Sequence, residues 1–281
     1  MINIQNFSYH THTSFSDGAN DLQDMVRQAK KLGFSHLGVS DHLIVHKEFS
    51  SSKMIPFLQK KVSSHVFNGD FNVILDKFRR HCDDIRLMSK KENIRLLVGF
   101  EVDYFIYDGW EDELKCFLGK LDYDYLVSGN HMFFDENGLN VVDMSDFKNI
   151  YTDPLLQKEY VQRHFQTMKR AVDSGLFTFL AHMDYVRKIG ENVCSVNDFI
   201  DDKIAVLDAL VENNCGIEIS TKGLRKVGDF YPSGNILDEI SHRKIPVVIS
   251  DDAHRCDELG YSFDVAEKEL VNRKIFSRLT L

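Results

Sequence analysis

The sequence predicts an α/β protein built as a distorted, TIM-like barrel of seven strand-then-helix units, (β/α)7, and three observations support that class. Short apolar runs alternate with amphipathic segments along all 281 residues, the pattern of a parallel sheet. No linker, internal repeat or low-complexity segment divides the chain, so residues 1–281 are expected to form one domain. Chemically active side chains stand at the ends of nearly all the apolar runs. A barrel, where many strands deliver groups to one rim, accommodates that distribution better than an open sheet with a single binding crevice. The first strand-to-helix turn also lacks the Gly-x-Gly-x-x-Gly of a dinucleotide-binding sheet.

Taken in order, Ile4 to Tyr9 is the first strand, running into His10 and His12 and then a polar turn, Ser16 to Asn20. Leu22, Met25, Val26, Ala29 and Leu32 recur at helical spacing, with Asp21 placed to cap the start and Gly33 to stop it. His36 to Ser40 is a second strand, ending at Asp41-His42 before a serine-rich insertion, Leu43 to Asp70. Ile74, Leu75, Phe78, Cys82, Ile85 and Met88 share one face of a helix over 71–91, and Ile94 to Phe100 is a third strand that ends at Glu101. Leu114 to Leu121 is a short helix. Tyr123 to Ser128 is a fourth strand, leading through Gly129-Asn130 to His131. A second insertion, Met132 to Asp153, precedes a long helix from Pro154 to Ser174, and Thr178 to Ala181 then runs into His182. Ser195 is placed to cap a helix through Ile204, Leu207, Leu210 and Val211. Gly216 to Ser220 is a strand that carries Glu218; Pro246 to Ser250 runs into Asp251, Asp252 and His254, with a last helix from Asp264. In a barrel the two insertions would overhang the rim and shape its pocket.

Composition narrows the function. Hydrophobic residues at 43% and charged residues at 27% exclude a disordered, collagen-like or disulfide-scaffold chain. The net charge of −9 repels nucleic acid and anionic membrane, so an anionic substrate needs a locally positive site. Five cysteines without a Cys-x-x-Cys spacing, and a start without a basic-then-apolar leader, lead us to expect a reduced, cytoplasmic protein. No apolar run approaches the roughly 20 residues that span a bilayer, and no basic stripe with interleaved aromatics would track a nucleic-acid strand.

Histidine is the unusual residue, with twelve copies. His10, His12, His42, Glu101, His131, His182, Asp252 and His254 stand at the ends of the expected strands. Strand ends commonly carry helix caps, but capping selects Ser, Thr, Asp and Asn, not His. Imidazole with carboxylate suits Zn, Fe, Mn or Co, and His-x-His on an extended chain turns both rings to one side. Eight such residues exceed the roughly four protein ligands of one tetrahedral ion, so more than one ion is implied. Glu101 can bridge two of them, a usual arrangement for phosphoester hydrolysis. Asp17 is either a further ligand or a turn residue beside Gly18. The other histidines and the cysteines, Cys256 included, are assigned no chemistry.

These residues resemble the polymerase and histidinol phosphatase (PHP) superfamily of metal-dependent phosphoesterases, in particular its histidinol-phosphate phosphatases. The resemblance spans nearly the whole chain. It rests on Tyr9-His10-Thr11-His12-Thr13, Ser40-Asp41-His42, Gly99 to Tyr104, His131, Ala181-His182-Met183-Asp184, Glu218 to Lys226 and Ser250-Asp251-Asp252-Ala253-His254. Two positions depart from the family pattern: Ser8 stands where many members have aspartate, and Asp251 where serine more often precedes the metal-binding aspartate.

The resemblance implies three divalent transition-metal ions. One is held by His10, His12, Glu101 and Asp252, a second by Glu101, His131 and His182, a third by Asp17, His42 and His254. It further implies hydrolysis of L-histidinol phosphate to L-histidinol and inorganic phosphate, in histidine biosynthesis, by a hydroxide bridging the first two ions. Glu101, Asp17 and His254 are then the candidate catalytic residues. Three dications would also reverse the local sign set by the acidic chain. Arg187 and Arg225 are candidates for the phosphate, and Glu218 for the substrate amino group, with a surface charge or a buried structural carboxylate as the respective competing roles. The competing functions are a phosphodiesterase or exonuclease of the same superfamily and a non-catalytic metal-binding domain.

Overall fold

The computed structural model describes residues 4–50, 63, 65–135, 138–142, 154–189 and 198–281. After β1 (Phe7–Ser8), helix α1 (Leu22–Lys31) starts where predicted: the Asp21 side chain accepts a hydrogen bond from Asp24 N at 2.8 Å, and Met25, Val26 and Ala29 face the core. β2 (His36–Val39), β3 (His42–Val45) and β4 (Phe67–Asn68) follow. Helix α2 (Phe71–Glu92) is capped by Asp70, which accepts from Asn72 N, and is ended by Asn93 in the left-handed conformation (φ 50°). Phe71, Ile74, Phe78, Cys82 and Ile85 form its buried face. Next come β5 (Arg95–Val102), α3 (Trp110–Leu118), β6 (Tyr125–Ser128), the antiparallel pair β7 (Met132–Asp135) and β8 (Gly138–Val141), α4 (Pro154–Asp173) and β9 (Phe179–Leu180). The chain continues through α5 (Ile200–Glu212), β10 (Gly216–Ser220), α6 (Lys222–Lys226), α7 (Gly234–Arg243), β11 (Val247–Ser250) and α8 (Phe263–Asn272). The expected cap at Ser195 and parts of both insertions lie outside the described residues.

The predicted barrel is present. Seven parallel strands neighbour one another in the order β1-β2-β5-β6-β9-β10-β11. A parallel bridge from Thr11 to Ala253 joins the two ends of this series, and His12 N donates to Ala253 O at 2.8 Å. Lower on the same seam, the Gln5 side chain donates to Ile249 O (2.6 Å) and accepts from Ile249 N (3.3 Å). A side-chain amide here replaces ladder bonds that the short β1 cannot supply.

Strand two is longer than expected. β2 and β3 hold one register against β5 (Val39 opposite Val98, His42 opposite Glu101), so they are a single strand interrupted at Ser40-Asp41. Leu43, Ile44 and Val45, expected in a loop, are buried there. His42 consequently sits within a strand and not at its end.

Alternation explains how an apolar barrel carries a polar mouth. On β5, Leu96, Val98, Phe100 and Val102 pack outward against the helices, while Leu97 belongs to an inner cluster with Tyr9, Tyr125, Val127, Phe179, Ala181 and Val248. Leu97, Gly99, Glu101 and Asp103 therefore share the inward row. Gly99 is small because the Tyr125 ring occupies the space its Cβ would need. On β11 the inward row is Val248, Ser250 and Asp252; on β10 it includes Glu218 and Ser220. On β5 and β11 the row changes from apolar to acidic as the strand runs toward the C-terminal rim, and on β10 it is polar from Glu218 onward.

Candidate metal centre

The structure brings every predicted ligand to that rim. His10, His12 and His182 are fully buried, Glu101 and Asp252 almost so, and His42, His131, His254 and Asp17 line the more open side. Three sets of facing atoms can be separated. His10 Nε2 and His12 Nε2 each lie 3.3 Å from Glu101 Oε2, and 3.7 and 3.4 Å from Asp252 Oδ1. Glu101 Oε1 lies 3.5 Å from His131 Nε2 and 3.0 Å from His182 Nε2. Asp17 Oδ2 lies 3.5 Å from His42 Nε2 and 3.1 Å from His254 Nε2. His42 Nδ1, at 3.0 Å from Glu101 Oε2, joins the third set to the other two.

These spacings suit a metal. Atoms on a tetrahedron of radius about 2.0–2.2 Å around an ion stand about 3.3–3.6 Å apart. They do not suit a closed hydrogen-bond network. His10 Nε2, both ring nitrogens of His12, His42 Nδ1, Glu101 Oε2 and Asp252 Oδ1 are buried without a hydrogen-bond partner among the described residues. Leaving that many buried polar atoms unpaired would cost several kcal/mol, so the donor set fits ions that take up these lone pairs.

The carboxylates behave as anions prepared for cations. Burial alone would favour the neutral acid at Glu101, yet the imidazoles of His10, His131 and His42 hold its pKa well below the usual carboxylate range. Burial likewise opposes the charge on Asp252, and Lys222 with His10 overcomes it.

Further groups aim the ligands. Glu218 Oε1 lies 2.7 Å from His10 Nδ1, which turns Nε2 toward the cluster, and also accepts from Ser250 Oγ; Glu218 Oε2 accepts from His182 N at 2.7 Å. Asp103 Oδ1 plays the same part for His131, 2.9 Å from Nδ1. Asn130 (φ 54°), His182 (φ 25°) and Asp252 (φ 46°) adopt left-handed backbone around the site, a conformation that costs non-glycine residues about 1–3 kcal/mol each. Gly129 is obligatory for a steric reason: a Cβ there would lie 2.6 Å from Glu101 Oε1.

The choice between Asp251 and Asp252 follows from alternation. Asp252 faces inward, whereas Asp251 accepts from Ser8 Oγ (2.9 Å) and Gly260 N (2.6 Å) outside the cluster. The substrate-binding candidates all have protein partners. Arg187 is buried and directed at Asp184 (3.3 Å), Phe230 O (3.1 Å) and Asp229 (3.5 Å), with no ligand-set residue among these partners. Arg225 pairs with Glu258 (2.6 Å), donates to Asp251 O (3.3 Å) and lies over the Tyr261 ring. Glu218, with both oxygens occupied and no exposed surface, orients histidines and is not placed to receive an amino group. Cys256 Sγ sits beside Met25 Sδ at 3.7 Å, away from the ligands.

Sequence reasoning missed two groups. Asp103 could have been found from its place two residues past Glu101, on the same face of a strand. Lys222, whose ammonium donates to Asp252 Oδ2 at 2.7 Å, had no signal beyond its nearness to Glu218.

Comparison with known proteins agrees with this architecture. The histidinol-phosphatase of Bacillus subtilis (strain 168) is 24% identical over 271 residues, covering 91% of this chain and 96% of the relative. Histidinol phosphate phosphatase from Lactococcus lactis, solved with zinc, L-histidinol and phosphate, superposes with a TM-score of 0.68 at 16% identity, covering 99% of this chain and 97% of that one. A structure from Listeria monocytogenes gives the same score at 19% identity, with coverages of 92% and 99%. At these identities the structural likeness is one of fold. The PHP domain profile matches residues 8–222, more than three quarters of the sequence, and the chain therefore belongs to the PHP domain family.

Proposed function

We propose that the protein, acting as a single barrel domain over residues 1–281, is a metal-dependent phosphomonoesterase that hydrolyses L-histidinol phosphate to L-histidinol and inorganic phosphate. The observation that carries this reading is Glu101: one buried carboxylate faces two histidine sets, Oε2 toward His10 and His12 and Oε1 toward His131 and His182. That is the donor arrangement for two ions sharing a bridge. His10, His12, Glu101 and Asp252 would hold the first ion, Glu101, His131 and His182 the second, and Asp17, His42 and His254 a third. His12 Nδ1, 3.7 Å from Asp17 Oδ1, borders the third set as well.

Divalent ions bound there would supply a water of lowered pKa as nucleophile and neutralise the phosphoryl oxygens. The chain's part is placement. Glu218 and Asp103 hold the His10 and His131 rings at fixed tautomers. The strained backbone at His182 and Asp252 aims their side chains across the rim. The buried walls exclude bulk water, which strengthens every charge interaction inside.

The small-molecule substrate is supported by the histidinol-phosphatase relatives and by the histidinol and phosphate bound to the Lactococcus lactis fold neighbour. The net charge of −9 disfavours a nucleic-acid strand as substrate. We also propose a cytoplasmic setting, where the thiols of the described cysteines would stay reduced; no helix among the described residues is long and apolar enough to cross a membrane.

The test is metal analysis followed by assay of the loaded protein on L-histidinol phosphate beside a dinucleotide diester. Faster hydrolysis of the monoester is expected. Faster diester cleavage would overturn the substrate class in favour of a phosphodiesterase. Turnover of no phosphate ester by metal-loaded protein would leave a binding domain.

A further inference from the structure

We propose that Lys222 is a positioning residue which holds Asp252 to the cluster by one carboxylate oxygen, a role that rests on the metal-dependent reading above. A free carboxylate can clasp a cation with both oxygens, raising its coordination number and filling a position that water or substrate needs. Here the two oxygens are separated in role. Oδ2 receives the Lys222 ammonium at 2.7 Å, while Oδ1 faces His10 Nε2, His12 Nε2 and His254 Nδ1 at 3.7, 3.4 and 3.3 Å and has no hydrogen-bond partner among the described residues. The Lys222 side chain is 15% exposed and that of Asp252 3%, so water competes little for the contact.

The elements around Lys222 act with it. α6 begins one residue after Thr221, which fastens the β10 end to β11 by donating its N–H (2.8 Å) and Oγ1 (3.2 Å) to Ser250 O. Arg225, one turn on, donates to Asp251 O (3.3 Å). Thr221, Arg225 and Lys222 thus engage three consecutive residues, Ser250, Asp251 and Asp252, the last in left-handed backbone at φ 46°. The short helix is a clamp over the end of the last strand, and the lysine is the part of it that reaches a ligand. Ammonium suits the task because it donates and never accepts, so it cannot itself become a ligand.

The sign of the effect separates this role from that of a mere charge. A cation beside a metal site repels the metal, so a lysine acting only through charge should weaken binding, and its removal should tighten it. A positioning lysine gives the opposite result.

The experiment titrates the metal-free full chain with Co2+, reading the visible absorption per bound ion and the dissociation constant by chelator competition. Wild type should take up Co2+ with an absorption set by its coordination number. Lys222→Met should bind about 10- to 100-fold more weakly, with reduced absorption per ion as Asp252 turns to two-oxygen binding, and Lys222→Arg should recover most of both. Should Lys222→Met not fold, Lys222→Gln, with a neutral and weaker donor, should fall between wild type and that loss; unchanged Co2+ affinity and spectrum would overturn the proposal. Unchanged or tighter binding by Lys222→Met would likewise overturn it while leaving the metal centre intact. Wild-type protein that took up no Co2+ would instead overturn the metal-dependent reading itself.

Discussion

Two buried carboxylates on neighbouring strand segments, Asp41 and Glu101, stand among histidines and differ in whether their oxygens are satisfied. Asp41 Oδ1 accepts from Thr13 N (2.8 Å) and Ser16 Oγ (2.5 Å), and Oδ2 accepts from Thr13 Oγ1 (2.7 Å) with His81 Nε2 at 2.9 Å. His81 is itself stacked on Phe15, centroids 3.8 Å apart. Burial works against ionisation of Asp41, and His81 offsets it. At Glu101 the nitrogens draw as near, but Oε2 makes no hydrogen bond among the described residues. A carboxylate with both oxygens hydrogen-bonded, as in Asp41, belongs to the fold, even though His81 Nε2 beside it has no hydrogen-bond partner among the described residues. An unsaturated one, equally buried, is a place prepared for something else.

Substitutions at the two sites should therefore fail in different ways. The largest effect is expected from Glu101→Gln. Its kcat/KM on L-histidinol phosphate should fall by about 1000-fold or more, with loss of bound metal, while the unfolding midpoint of the metal-free protein stays near wild type. A metal-free Glu101→Gln protein that melted much earlier would erase the contrast. Glu218→Gln should weaken metal binding about 10- to 100-fold by releasing the His10 ring, measured by competition with a chelator. Asp41→Asn should cost about 1–3 kcal/mol in urea unfolding, equally with and without metal, because it removes a satisfied network and no ligand. Activity lost out of proportion to that stability would place Asp41 in the centre itself.

The smallest effect concerns His46, which stacks on Phe134 with centroids 3.7 Å apart. Burial, with help from Lys47, pushes its pKa down to about 4. The folded protein keeps the ring neutral where the unfolded chain, with a pKa of about 6.5, takes up a proton. The stability at stake is fully present above about pH 6.5 and is lost progressively as pH falls toward 4. His46→Gln should show a shallower decline of the urea midpoint between pH 7 and pH 5 than wild type, and parallel slopes would remove His46 from the comparison.

Much of the fold was legible because periodicity and capping are local. The helix over 71–91 was expected and α2 spans Phe71–Glu92, and Gly216–Ser220 is the strand anticipated. The extension of strand two through His42 was not legible. Its apolar residues follow a polar Ser-Asp break, and only pairing with β5 shows that the register continues. The gathering of these histidines at one rim could be anticipated because histidine at strand ends is not a usual helix cap. The arginines could not, since a guanidinium in a loop reads the same whether it meets phosphate or, as Arg187 does, a buried Asp184. The two positions read as departures from the family pattern meet in space: Ser8 Oγ donates to Asp251 Oδ1 at 2.9 Å.

The seam between the first and last strands carries a consequence of its own. The Thr11–Ala253 bridge sets His10 and His12 alongside Asp252 and His254, so an ion gripped from both sides would act as a rivet between segments some 240 positions apart. Closing so long a loop is entropically costly, and a cation that does so becomes part of the tertiary structure as well as of the chemistry. Chelation should then loosen the cylinder along this one edge first, with amide exchange quickening at β1 and β11 before it does at β5 and β6.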